Sequence, residues 1–291
     1  EGATAAVERC DDSSALVSVR TADGTLERFL AGLLIDASGR SAVTARLLEE
    51  RRPDRRNKTA AVFGHFGKVP RLAGARGGNI RIHLIEGGWM WQIPLLGDTT
   101  SIGLVLPADR LAGGAGSAAE VFHGQAARSP VMAALLEGAE LQGPLHTTAN
   151  FSYRATRAFG PGHLRVGDAY GFIDPIFSTG VQLALVSAEE AARTVLEIRG
   201  RPDRRARALA RYDRTVRRRV NYVSWFIYNI HDAAFRELLL NPRDLFGIER
   251  AVISLLAGDF RRSRGKELRV LLFKAIRWAA GLNRQAQARR G

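Results

Sequence analysis

With 291 residues and a formal net charge of +14, the chain is long enough for roughly two hydrophobic cores and basic enough to raise the question of nucleic acid. The arginines are concentrated late, in RGRPDRRARALARYDRTVRRRV and DFRRSRGKELRV, without a base-reading motif; a solvated helix face is the first expectation, an acidic partner or an anionic membrane surface the second, and no nucleic-acid partner is expected. One cysteine, Cys10, excludes an internal disulfide and favours a reducing, cytoplasmic setting; no HExxH-type histidine pair calls for a metal, and the apolar runs stop short of the ~18 residues that span a bilayer.

The chain begins EGATAAVERC, with neither an initiator Met nor a signal-peptide layout, and Glu1 stands next to a strand-like run, so a preceding N-terminal piece is expected. Residues 14–37 read as a β-hairpin and a buried strand: SALVSVR alternates, ADGT is turn chemistry, and LLIDA is an apolar run that ends on an acid. SGRSAVTARLLEE then opens a helix. Between 59 and 106 come TAAVFGHFGKV, NIRIHLI, WMWQIPLL and TSIGLVL, with Gly-Gly and Gly-Asp turns, the pattern of an antiparallel sheet inserted into another domain. Residues 117–137 are helical in pattern, LHTTANFSYRATRAF is extended, and HLRVGDA is a short strand followed by a helix from about Gly180 to Arg199. Everything after Arg201 reads as helices, broken at Asn241-Pro242 and Gly258.

The segment GDAYGFIDPIFSTGVQLAL carries the most chemistry. An acid just past a strand end, behind a glycine that lets a ligand approach the backbone, is placed to accept hydrogen bonds from sugar-like hydroxyls, which makes Asp168 a candidate ribose or ribityl contact. The helix opening at Ser178-Thr179-Gly180 has backbone N–H groups without intrahelical partners and the positive end of its dipole, so it attracts an anion. Pro175 stiffens the approach, and Gly180 lets a planar group lie on the main chain. The competing reading is that Ser178 or Thr179 caps the helix and Asp168 caps a turn.

RVGDAYGFIDPIFSTGVQLAL resembles the C-terminal flavin motif of FAD-dependent monooxygenases and halogenases, and LLIDASGRSAVTARLL is similar to the middle motif of the same superfamily. The resemblance implies cofactor contacts at Gly167, Asp168, Pro175, Ser178, Thr179, Gly180 and Val181, with Asp168 on the ribityl chain. It places Asp36, Gly39 and Ser41 near the pyrophosphate. Trp89-Met90-Trp91-Gln92-Ile93-Pro94 resembles the W-x-W-x-I-P signature of flavin-dependent halogenases. By strand alternation Trp89, Trp91 and Ile93 share one face while Met90 and Gln92 point to the other, with core packing as the competing role of the two indoles.

The family chemistry so implied is a flavin hydroperoxide that oxidises chloride or bromide to hypohalous acid, which reaches the organic substrate in a separate pocket. Reduced FAD comes from a separate flavin reductase, and backbone N–H groups at Thr179 and Gly180 hold the halide. Tryptophan halogenases have a glutamate immediately before Ser-Thr-Gly, where this chain has Phe177. The expected substrate is therefore a phenol, a pyrrole or an acyl group on an acidic acyl carrier protein, for which the Arg-rich segment 201–219 is a candidate docking site, to be tested by charge reversal at Arg217, Arg218 and Arg219. The fold implied is an incomplete α/β FAD-binding fold of the glutathione-reductase and hydroxybenzoate-hydroxylase type. Its parts are FAD-binding segments at 1–56 and 159–200, a substrate-domain sheet with a helix at 57–158, and a helical region at 201–291.

The G-x-G-x-x-G fingerprint of that fold is absent, since GARGGN does not sit in a βαβ unit, and the family's catalytic lysine has no counterpart here; Lys68 does not correspond to it. A flavin monooxygenase, a reductase of the geranylgeranyl type and a non-catalytic binding protein lacking the ADP-binding half are the alternatives. The aromatic tail from Val220, including Tyr222, Trp225, Phe226 and Tyr228, is expected to cap the fold, with peripheral membrane contact as the other reading.

Overall fold

The computed structural model describes residues 2–112, 116–149, 151–230, 232–240, 247–259 and 263–288. In chain order its elements are β1 (Thr4–Cys10), β2 (Ala15–Arg20), β3 (Leu26–Ala31), β4 (Leu34–Asp36), α1 (Val43–Leu47), β5 (Arg51–Pro53), β6 (Thr59–Gly67), β7 (Arg81–Ile85), β8 (Gly88–Pro94) and β9 (Thr100–Pro107). There follow α2 (Ala108–Ala112), α3 (Ala118–Ala127), α4 (Pro130–Leu136), β10 (Glu140–Leu141), β11 (His146–Ala149), β12 (Tyr153–Ala155), β13 (Phe159–Gly160), β14 (His163–Arg165), β15 (Gly171–Phe172), α5 (Gly180–Gly200), α6 (Arg205–Asn229), α7 (Ala233–Leu240), α8 (Ile248–Leu256) and α9 (Arg264–Ala288). The chain divides into two compact units, one of Glu1–Arg52 with Tyr153–Gly291 and one of Pro53–Ser152.

The inner unit is an antiparallel sheet in the order β10-β6-β9-β8-β7, with β11 also paired to β6. Val62, Phe66, Met90, Ile102, Leu104 and Leu106 pack against Phe122 of α3 and Met132 of α4. Each large side chain removed from water here contributes about 1.5–3 kcal/mol. The 117–137 segment forms two helices rather than one because Pro130 takes the first helical position of α4, behind a Ser129 cap that accepts from the Met132 N–H. Ser117 and Glu120 make a reciprocal capping box at the start of α3.

On the opposite face, the cross-strand partners Phe63, Gly103 and Trp91 lie in one row. The Trp91 ring lies over Gly103 so closely that a Cβ there would collide with it, which is why this strand interior carries a glycine.

In the outer unit β4 and β14 run parallel, with Leu34 opposite His163, Ile35 opposite Leu164 and Asp36 opposite Arg165. β13 continues this small sheet antiparallel, while β1, β2 and β3 form a separate meander and β15, β12 and β5 a third sheet. The helix expected after LLIDA is only five residues long, Val43–Leu47, because Ala42 and Glu49 on either side are in the left-handed region at φ 46° and 53°.

α6 turns Ala208, Leu209, Tyr212, Val216, Val220, Val223 and Ile227 inward, the 3.6-residue period that leaves many of its arginines on the outside. It is tied to α5 by Arg219–Glu190 at 3.1 Å and by Arg211–Glu197. Trp225 and Phe226 of α6, Phe235 of α7 and Phe273 of α9 form an aromatic cluster with ring centroids 5.1–6.2 Å apart. α9 leaves Leu268, Leu271 and Trp278 exposed. The expected Asn241-Pro242 break lies outside the described residues. Among the described residues no helix is long and apolar enough to cross a membrane.

Candidate functional site

Two loops leave the carboxyl ends of the parallel pair β4 and β14, the place where open α/β sheets bind ligands. The first carries Asp36, whose Oδ1 accepts from the Ser38 N–H at 3.0 Å and whose Oδ2 accepts from the Thr44 N–H at 2.9 Å and the Thr44 hydroxyl at 2.6 Å. Burial pushes its carboxyl up, but the hydrogen bonds from Ser38 and Thr44 outweigh burial and hold it below the usual carboxylate range. Behind it the fully buried Arg165 donates to the Thr44 hydroxyl at 2.9 Å, to Glu50 at 2.5 Å and to the Arg157 carbonyl at 2.9 Å.

The second loop, Gly167-Asp168-Ala169, is a 3-10 turn. Gly167 sits at φ +53°, and a Cβ on it would come within 2.8 Å of the Ala184 methyl, so glycine is needed both for backbone angle and for the approach of α5. Its N–H donates to the Ser187 hydroxyl at 2.8 Å. Tyr153 holds the two loops side by side: its hydroxyl donates to the Asp168 carbonyl at 2.7 Å and lies 3.5 Å from the Gly39 carbonyl, while the Arg51 guanidinium covers its ring at 3.9 Å. Burial, with a smaller rise from Asp168, pushes the Tyr153 hydroxyl up to about 12, so it is a proton donor throughout the physiological range.

The Asp168 carboxylate differs from that of Asp36 in every respect. It accepts no hydrogen bond from any described residue and is half-buried. Burial raises it above the usual carboxylate range, and the only opposing influence is the charge of Arg40. It faces a cavity of about 260 Å³, whose walls are the 167–181 segment, Leu183 and Ser187 of α5, and Val216, Arg219, Val220, Val223 and Ile227 of α6.

Opposite it, Asp174 caps a second 3-10 turn, Pro175–Phe177, by accepting from the Ile176 N–H. Ser178 then adopts φ +51°, ψ 29° and Thr179 is the N-cap of α5, without any side-chain cap bond. The capping role that competed for Ser178 and Thr179 is therefore not realised, and the first amides of α5 have no side-chain cap. Nothing lies within 4 Å of where a Cβ of Gly180 would stand.

Of the candidates read from the sequence, Gly167, Asp168, Pro175, Ser178, Thr179, Gly180 and Val181 line this one cavity. Gly39 belongs to the adjacent loop, Ser41 is exposed there, and Asp36 is a structural cap with both oxygens occupied. Trp89, Trp91, Ile93 and Pro94 lie in the other compact unit, on β8; Trp89 and Trp91 are neighbours at 5.7 Å, and Met90 and Gln92 face the other side and are buried. Phe177 packs edge-on against Phe226 at 6.3 Å. Lys68 is exposed and paired with Glu140 at 2.5 Å. Arg217, Arg218 and Arg219 do not form one free surface: Arg217 pairs with Asp213 at 3.4 Å, and Arg219 is mostly buried against Glu190 and lines the cavity.

The sequence motifs assign no role to Tyr153, Arg165, Thr44 and Ser187, which hold the loops, or to the α6 wall of the cavity. A buried Arg inside the short run HLR, a residue type almost never buried without partners, was the available signal for one of them.

The sequence profile of the tryptophan halogenase family matches residues 1–237. The chain belongs to that family. It is 34% identical over 171 residues to a tryptophan 2-halogenase of Chondromyces crocatus, which covers 57% of this chain and 32% of the relative. It is 27% identical over 275 residues to the 1H-pyrrole-2-carbonyl-[peptidyl-carrier protein] chlorinase of Pseudomonas fluorescens, covering 91% of this chain and 59% of that one. Among solved structures, the flavin-dependent brominase Bmp2 superposes with a TM-score of 0.78 at 25% identity, over 94% of this chain and 68% of the brominase. The match to the Chondromyces enzyme spans about a third of its length, and the match to the Pseudomonas enzyme somewhat over half. The α/β architecture expected from the two motifs is the one these neighbours share.

Proposed function

We propose that this halogenase-family chain holds FAD against the cavity beside Asp168 and serves the halogenation of an electron-rich aromatic or of an acyl group on a carrier protein. The observation that carries the reading is the pairing, across one cavity, of a carboxylate without a hydrogen-bond donor and a helix start without a cap. Asp168 would hold the ribityl chain, whose hydroxyls would be the donors its carboxylate lacks. The Thr179 and Gly180 amides suit a halide, chloride or bromide, because the first turn of α5 carries no acidic residue and the open face of Gly180 admits a planar ring. The chemistry that FAD supplies when bound and reduced is the activation of dioxygen for oxidation of the halide.

The chain's own groups then have three tasks. Asp168 orients the cofactor, the α5 amides concentrate the halide beside it, and the apolar α6 wall of Val216, Val220 and Val223 keeps water from the electrophile. A separate flavin reductase would supply the reduced cofactor, in keeping with a cytoplasmic setting. Relatives named for peptidyl-carrier-protein chlorination and bromination support a carrier-bound substrate, and Phe177, packed on Phe226, offers no carboxylate to a free amino acid.

The test is twofold. FAD titrated into the purified chain is expected to raise its melting point, since a ligand that binds only the folded state must do so. With reduced flavin, bromide, dioxygen and an electron-rich aromatic, the chain joined to a family segment that supplies the G-x-G-x-x-G unit and the lysine is expected to give a product in which mass spectrometry finds bromine. No thermal shift would overturn the cofactor assignment; oxygen incorporated without bromine would make the enzyme a monooxygenase.

A further inference from the structure

A second concavity lies on the far side of α6, between it and α9, with a volume of about 450 Å³. Arg214, Arg217, Arg218 and Asn221 recur on α6 at the spacing that puts them on one helical face, and Lys274 of α9 closes the opposite wall. The lining has four cations and a single acid, Asp213, which already accepts from the Ala158 N–H at 2.8 Å and pairs with Arg217. The Asn221 carbonyl oxygen is likewise committed, accepting from Arg154 at 2.6 Å, so its amide N–H₂ is what remains for a ligand. Arg214 makes no hydrogen bond or ion pair with any described residue.

Lys274 is the decisive residue. Its ammonium is half-buried, 4.7 Å from the Trp225 ring centroid and 5.8 Å from that of Tyr222, with no carboxylate partner among the described residues. Burial accordingly lowers its pKa. A solvated basic helix face keeps its cations extended into water. Here one cation is drawn in among aromatic rings, its charge uncompensated by any described carboxylate, at the head of a concave set of donors. A desolvated charge of this kind is stabilised by a counter-ion of matching shape, and guanidinium forks beside an ammonium match a phosphate group.

We infer that the α6–α9 concavity, formed by Arg214, Arg217, Arg218, Asn221 and Lys274, is a binding site for a phosphate ester. The inference deepens the reading of a carrier-borne substrate, whose pantetheine arm presents such a phosphate, yet binding here requires neither flavin nor turnover, so each can fail without the other. The site is separate from the cavity at Asp168, which lies on the opposite side of α6 and is walled by its valines.

The test compares pantetheine 4′-phosphate, pantetheine and inorganic phosphate on the full chain by calorimetry, with Arg214→Gln and Lys274→Gln as variants. Pantetheine 4′-phosphate is expected to bind about tenfold or more tightly than pantetheine, and each variant to remove most of that difference while its unliganded melting point stays near that of the parent. Binding of the 4′-phosphate tighter than inorganic phosphate assigns the site to an arm-borne ester; equal binding assigns it to free phosphate, and both support a phosphate site. Equal affinity for pantetheine and its phosphate, or variants that bind the phosphate as well as the parent, would overturn the inference. FAD binding measured on the same variants is expected to be unchanged, which keeps this outcome apart from that of the flavin site.

Discussion

The two loops at the ends of β4 and β14 make a natural experiment. Each follows a parallel strand, each places an aspartate near its start, and Tyr153 holds them against each other. In the first loop both carboxylate oxygens of Asp36 are bound by the protein and the carboxyl is held low; in the second, the Asp168 carboxylate accepts from no described residue and is held high. One acid stabilises the fold and the other is carried at a cost to it. Evolution tolerates such a cost where a ligand later removes it, so the contrast separates scaffold from site more sharply than the similarity of the two motifs does.

The largest expected effect breaks the scaffold side. Asp36→Ala leaves the Ser38 and Thr44 amides and the Thr44 hydroxyl without their acceptor, and disturbs the buried Arg165 that leans on Thr44; we expect a loss of about 3 kcal/mol in urea unfolding. Because its pKa is lower folded than unfolded, the stability from Asp36 is present above the unfolded carboxylate pKa and fades as pH falls through the folded value. The acid limb of the stability profile should therefore be shallower in Asp36→Asn than in the parent.

Next is the backbone of the second loop. Gly167→Ala combines a left-handed φ with contact to Ala184, and should cost about 2 kcal/mol while displacing α5 enough to weaken FAD binding. The smallest change in stability, and the one that sharpens the comparison most, is Asp168→Asn. An acid whose pKa is raised by folding binds more protons folded than unfolded, so stability falls as pH rises through its titration; at neutral pH the asparagine variant should melt slightly higher than the parent. Its FAD affinity should nevertheless fall about tenfold by fluorescence titration. A variant that melts lower and binds FAD normally would place Asp168 with Asp36 among the scaffold residues.

Much of this was legible in the amino-acid order, for reasons of local chemistry. Strand alternation in WMWQIP sorted the indoles from Met90 and Gln92, and the antiparallel runs between 59 and 106 were delimited by Gly-Gly and Gly-Asp turns, in which Gly87 and Gly97 do take positive φ. The period of α6 could be read through its arginines because Leu209, Val216, Val220 and Val223 recur at helical spacing. The motif around Gly167-Asp168 and Ser178-Thr179-Gly180 gathers in one cavity because those residues are close in the chain and a strand-turn-helix geometry brings them to face one another.

What tertiary structure alone decided was the fate of each polar group. Two aspartates after two short strands look equivalent in one dimension; only the approach of Thr44 to one, and of no donor to the other, made them a cap and a candidate ligand. The same holds for the arginines of α6, whose roles diverge with the direction in which each leaves the helix. Arg219 turns in to Glu190, Arg217 meets Asp213, and Arg214 joins Lys274 from a helix some fifty residues further on. Composition and period set which faces are apolar, because burial of carbon surface is not directional. Hydrogen bonds and charges are directional, so the use made of each polar side chain depended on partners that the chain brings close only when it folds.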